Sequence, residues 1–155
     1  PGETSAVLAD RWDDDVKRRF SEQGRADGSI DHRVVLAMGR ADVEQGISLA
    51  RSRLNLAKIL DGLERLRIPA FVVGPAPSRD PGTTAGVREL SGAFEDVCGR
   101  RRIPYVDTVG GLIGHDQWES DLARSAGDHP GQTGYGLIAW LVLHSGFGSW
   151  LGTSD

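Results

Sequence analysis

A single cysteine, Cys98, is the most telling scarcity in the chain. One thiol excludes an internal disulfide and any cysteine-based zinc cluster. Its apolar helical surroundings read as those of a buried structural thiol rather than a nucleophile. Four histidines, His32, His115, His129 and His144, are dispersed without paired ligand spacing, so the sequence implies no metal and no cofactor. Gly110-Gly111 lacks the strand–GxGxxG–helix setting of a dinucleotide site. Long apolar runs are missing too, and no stretch approaches the ~18 residues of a membrane span. The N-terminus does not have the shape of a signal peptide. A cytoplasmic location is therefore only a default, and removal of an N-terminal segment would leave a secreted one open. Basic charge is in deficit: 18 Lys and Arg stand against 22 Asp and Glu, for a formal net charge of −4. That argues against a nucleic-acid partner, since phosphate binding needs a basic face. The densest basic stretch, Arg100-Arg101-Arg102, reads as a solvated helix end.

What is present has the profile of one globular domain over residues 1–155, with 39% hydrophobic and 26% charged residues. Leu8, Trp12, Val16 and Phe20 recur every four residues and predict an amphipathic helix over 5–20, capped by Thr4 or Ser5. A polar turn over 22–31 follows. Arg33-Val34-Val35-Leu36-Ala37-Met38, ending at Gly39, is a short β-branched apolar run of the kind a buried parallel strand carries. Leu49, Leu56, Ile59, Leu60 and Leu63 line one face of a helix over 48–66. Residues 69–74 read as a second strand, closed by the turn Pro75-Ala76-Pro77-Ser78. A helix over 84–101, a strand at 105–107, a short helix over 117–124 and a closing helix over 134–146 complete the pattern. Tyr135, Trp140, Phe147 and Trp150 read as packing residues.

Strands alternating with helices predict an α/β fold, a three-layer α/β/α sandwich around a parallel sheet. Only three strands are visible, which leaves the apolar strand from Arg33 to Met38 with an unprotected edge. A preceding N-terminal segment or another subunit is expected to cover it.

Asp128-His129-Pro130-Gly131-Gln132-Thr133-Gly134-Tyr135 resembles the last conserved block of SGNH/GDSL-type serine hydrolases, the GDSL-like lipases and acylhydrolases. Gly39-Arg40-Ala41-Asp42 resembles the family's Gly-x-Asn-Asp at a strand end, and Gly2-Glu3-Thr4-Ser5 its block with a glycine before a helix start. Val73-Gly74-Pro75-Ala76-Pro77 and Pro104-Tyr105-Val106-Asp107-Thr108 are similar to its later strand regions. The likeness runs through the whole chain in the family's order. It implies the flavodoxin-like SGNH architecture, with the N-terminal strands and their Gly-Asp-Ser nucleophile block lying ahead of Pro1.

Acyl transfer by a serine needs a nucleophile, a base, a group that orients the base, and donors for the oxyanion. The resemblance gives the base to His129 and a backbone oxyanion donor to Gly2. It puts Ala41 where the family has its oxyanion asparagine and Ala126 where it has the orienting aspartate. Asp128, adjacent to the histidine, is a weak substitute orienter. Asp42 is expected to anchor its loop. Nothing marks Ser5, Thr4 or Ser78 as an activated nucleophile, and His32, His115 and His144 read as structural. Two functions stay open. One is a hydrolase of small esters or acyl substrates, completed by an upstream serine. The other is a catalytically inactive SGNH-like domain that binds a ligand or a protein. If the 155 residues are the whole molecule, sedimentation velocity should show dimers or larger species through the bare edge. A clean monomer would contradict that expectation.

Overall fold

The computed structural model describes residues 2–21, 31–125 and 129–153. Helix α1 (Ser5–Ser21) starts at Thr4, whose hydroxyl accepts from the Val7 N–H at 3.4 Å. Strand β1 (Val34–Ala37) follows, then a short helix α2 (Arg40–Glu44) and the long helix α3 (Leu49–Arg65), capped by Ser48. Strand β2 (Ala70–Val73) leads into α4 (Pro81–Gly99), and strand β3 (Tyr105–Val106) into α5 (Thr108–Leu112). Helices α6 (Asp116–Arg124) and α7 (Gln132–Val142) come next. A π-helical turn over Leu143–Phe147 and helix α8 (Gly148–Leu151) end the described chain.

The three strands are parallel in the order β1-β2-β3. β2 is central and buried along its whole length, as a strand covered on both faces must be. Alternate residues feed the two cores. Leu36 and Val72 face the larger one, built with Trp12 of α1, Leu56, Ile59, Leu60 and Leu63 of α3, and Leu90 and Phe94 of α4. Phe71, Val73 and Val106 face the other side, under Ile138, Leu141 and Val142 of α7 and Phe147 and Trp150 beyond it. The result is the α/β/α sandwich that the alternation of elements predicts.

Several local expectations need correction. Helix α4 begins at Pro81 rather than residue 84, because Asp80 caps it (Thr83 N–H to Oδ2, 2.6 Å) and proline suits the first helical position. The closing helix is interrupted: the Ser145 hydroxyl donates back to the Leu141 carbonyl at 2.7 Å, and Gly146 adopts φ 85°. Tyr135 and Trp140 are not packing residues but more than half exposed, since α7 turns a single side to the sheet. Arg101 is more than a solvated helix end, for it makes a two-pronged bridge to Asp61 (2.6 and 3.1 Å) that ties α4 to α3. The turn expected over 22–31 lies, but for its last residue, outside the described residues.

Cys98 is fully buried, and that burial pushes its thiol up to about 12. Burial likewise raises the Tyr105 phenol, which shares a 2.7 Å hydrogen bond with Ser91. Both groups are neutral structural members of the fold. On the open side of the sheet, Val35 is 47% exposed, although its register partner Phe71 is fully covered. Ala37 on the same face is exposed as well. No helix among the described residues is long and apolar enough to cross a membrane.

Candidate active site

The carboxyl ends of β1 and β2 open into a cavity of about 480 Å³. In a parallel α/β sheet this is the end at which ligands bind, because the loops that diverge there leave a crevice. Ala37 and Val73, the last residues of the two strands, form its floor with Gly74 and Pro75. Gly2, Glu3, Gly39 and Ala41 line it from the N-terminal side, and Tyr135 and Ile138 of α7 from the other. The fold thus brings together Gly2 and Ala41, which are 39 positions apart in sequence (41 − 2).

A buried polar cluster holds this arrangement. Asp42 is 1% exposed and accepts from the Ser5 N–H at 2.6 Å and from the Ser5 hydroxyl at 2.5 Å. The Asn55 side-chain amide of α3 donates to the same hydroxyl at 2.9 Å. Gln45, one turn along from Ala41, donates to the Gly2 carbonyl at 2.8 Å. Helix α2 therefore grips the start of α1 at two points, and the Gly2 peptide is fixed between them. Ser5 is spoken for by this cluster, which leaves its hydroxyl bonded to a carboxylate on a structural duty. Gly39 makes the sharp exit from β1 at φ 123°, with Phe94, Leu90 and Pro75 atoms 3.0–3.3 Å from where a Cβ would stand. Ala41 is 7% exposed and offers a methyl group where a side-chain amide would be a donor.

Glu3, at the cavity wall, is held by the Arg11 guanidinium, with Nη2 to Oε2 at 2.7 Å and a second contact from Nε to Oε1. That hydrogen-bonded pair keeps the Glu3 carboxyl below the usual carboxylate range.

His129 is exposed and does not line the cavity. It sits three residues before α7, whose first turns supply Tyr135 and Ile138 to the cavity wall. Ala126 and Asp128 lie outside the described residues. Two of the other histidines have ring partners: His32 stacks on Phe20 with ring centres 3.8 Å apart. His144 stacks on Trp140 at 4.1 Å and bonds the Trp140 carbonyl through Nδ1 at 2.8 Å. His115 precedes α6 with a buried Nδ1. Ser78 belongs to a turn, accepting from the Asp80 N–H at 3.1 Å, and lines a separate cavity of about 420 Å³ with Trp118 and Leu122. No group of three or more His, Cys, Asp or Glu among the described residues could hold a metal ion.

One residue that the sequence did not single out stands beside the histidine loop. Asp121 of α6 is buried and accepts from the Gly131 N–H at 2.6 Å and the Gly134 N–H at 2.9 Å. The signal was available: Asp121 follows Trp118 by three positions, which puts it on that helix's buried face.

Removing the Asp42 carboxylate tests the cluster. Asp42→Ala leaves the Ser5 N–H and hydroxyl without their acceptor, at a cost of about 3 kcal/mol. The thermal midpoint should fall by roughly 6–12 °C in a chain of this size. A change below 2 °C would mean that water replaces the carboxylate and that Asp42 is not what fixes Gly2.

A family model described as GDSL-like lipase/acylhydrolase matches residues 1–137. Among solved structures the chain is similar to LAE5, an alpha/beta hydrolase enzyme from the metagenome of Lake Arreo, Spain. The identity is 20% and the TM-score 0.71, over 99% of this chain and 70% of that one. It is also similar to AlinE4, an SGNH-hydrolase family esterase, at 21% identity and a TM-score of 0.58, over 99% of this chain and 74% of that one. At such identities these two likenesses carry the fold. No curated protein matches the sequence. With the family model spanning all three strands and reaching into α7, the chain belongs to the GDSL-like lipase/acylhydrolase family.

Proposed function

We propose that this chain is the larger part of an esterase that cleaves small acyl esters, with its serine supplied by a Gly-Asp-Ser segment ahead of Pro1. The observation that carries the reading is the cavity at the strand ends, with Gly2 on one wall and α7, which starts three residues after His129, on the other. The free edge of β1 supports the upstream segment: among the described residues β1 pairs with β2 alone, and a further strand would pair with its other edge, beside the exposed Val35 and Ala37. On this reading residues 1–155 form one domain together with that segment.

The chemistry follows from the parts. The serine oxygen attacks the ester carbonyl carbon while His129 takes the hydroxyl proton. The Gly2 N–H stabilises the oxyanion, and the proton passes from His129 to the departing alkoxide. Water then repeats the sequence on the acyl-enzyme and releases the acid. Two positions weaken this machinery. Ala41 supplies no donor to the oxyanion, a loss of ~10²–10³ in rate for such groups. Ala126 supplies no carboxylate to orient the imidazole, where losses reach ~10⁴. These alanines support the second reading, in which the domain keeps the cavity for binding a ligand or partner and does no chemistry.

Hydrolysis of short-chain aryl esters by the protein with its upstream segment separates the two. The esterase reading expects slow turnover that His129→Ala abolishes and that Ala41→Asn raises by about 10²-fold or more. Absence of turnover in the parent and in the Ala41→Asn variant, or a gene without Gly-Asp-Ser before Pro1, would overturn it in favour of binding.

A further inference from the structure

We infer that Asp121 is the positioning residue of the His129 loop, acting on its backbone from the neighbouring helix. The inference deepens the esterase reading and rests on it for the role of His129, though not for the clamp itself. Helix α6 carries Trp118, Asp121 and Leu122 on its inner face, and a carboxylate buried among apolar neighbours demands partners. Asp121 finds them in helix α7. Its Oδ2 accepts from Gly131, the residue that precedes the helix, and from Gly134 in the first turn. Those N–H groups have no partner inside α7, and Gly131 has no side chain with which to cap them. Asp121 thus performs the N-capping task from ten residues upstream, with its negative charge at the positive end of the helix dipole.

The consequence reaches His129 through one residue. Pro130 alone separates the histidine from the clamped Gly131 amide, and its ring fixes φ at that link. The local geometry is built around the carboxylate. A Cβ at Gly131 would stand 2.9 Å from Asp121 Oδ1. One at Gly134 would stand 2.5 Å from the Pro130 Cβ, 2.8 Å from Asp121 Oδ2 and 3.1 Å from the Trp118 ring. Asp121, Pro130, Gly131 and Gly134 therefore work as a single clamp. Where the family pattern orients the imidazole through a carboxylate three residues earlier, this chain has Ala126 and holds the histidine by its backbone instead.

The test is hydrogen exchange and ¹H–¹³C imidazole spectra of the intact protein, with whatever segment precedes Pro1. In the native protein the Gly131 and Gly134 amides should exchange slowly; rapid exchange of both would overturn the clamp before any variant is made. Asp121→Ala should speed the two amides by roughly 10- to 100-fold, the equivalent of losing charge-assisted hydrogen bonds. Val72 in the central strand should stay protected, and the His129 imidazole signal should move towards its unfolded position. Asp121→Asn keeps an acceptor oxygen in place and should restore most of the protection and the signal. Unchanged amides and imidazole in the alanine variant, or acceleration of Val72 in step with the two glycines, would overturn the inference. In the longer protein Asp121→Ala should lower kcat with KM unchanged. If no ester is turned over, the hydrolase reading falls while the exchange and imidazole results still decide the clamp.

Discussion

The buried carboxylate of Asp42 is the constraint on which the site depends. It sits at the start of α2, just past the end of β1, and holds the first residue of α1 by both its N–H and its hydroxyl. Charge and amide dipoles meet out of water there, where an unpaired group would cost most. Because Asn55 of α3 joins the same hydroxyl, three helices converge on one point. Gly2 is thereby carried to the wall of the cavity beside Ala41. The opposite wall has its own anchor in Asp121, which fixes the entrance to α7. Two buried aspartates, neither of which lines the cavity, thus hold its two walls.

The sheet sets the second constraint. β2 is sheathed on both faces, whereas β1 has the large core on one side and an uncovered valine on the other. Trp140 of α7, 55% exposed, and Leu143 just after it, 61% exposed, leave further apolar surface bare. Family membership and the bare flank of β1 both give reason to look upstream of Pro1 for the missing cover and the nucleophile.

Much of the fold was legible because it rests on long periodic signals. The four-residue recurrence from Leu8 to Phe20 and the stripe from Leu49 to Leu63 became α1 and α3, and three short apolar runs became the parallel strands. What escaped was short or non-local. Helices α2 and α5 have five residues each, too few to display a period, and α5 contains two glycines. The start of α4 was readable in Asp80-Pro81, a cap followed by proline. At the site, the resemblance drew attention to the His129 and Gly39 blocks; the structure puts Gly39 and Ala41 on the cavity wall and His129 outside it. Asp121 was not singled out, since its partners lie ten and thirteen residues away. Thr4 and Ser5 both read as caps, and the fold gives that role to Thr4 while Ser5 serves Asp42.

On the proposed esterase reading, residues 1–155 contribute the base and an oxyanion donor but not the nucleophile. Intact-mass and peptide analysis after treatment with a fluorophosphonate probe tests it most directly, on the protein with its upstream segment. One adduct per chain is expected, on a serine ahead of Pro1, and no adduct in the His129→Ala variant. An adduct on Ser5, Ser78 or any other serine within the 155 residues, or none under any condition, would contradict it.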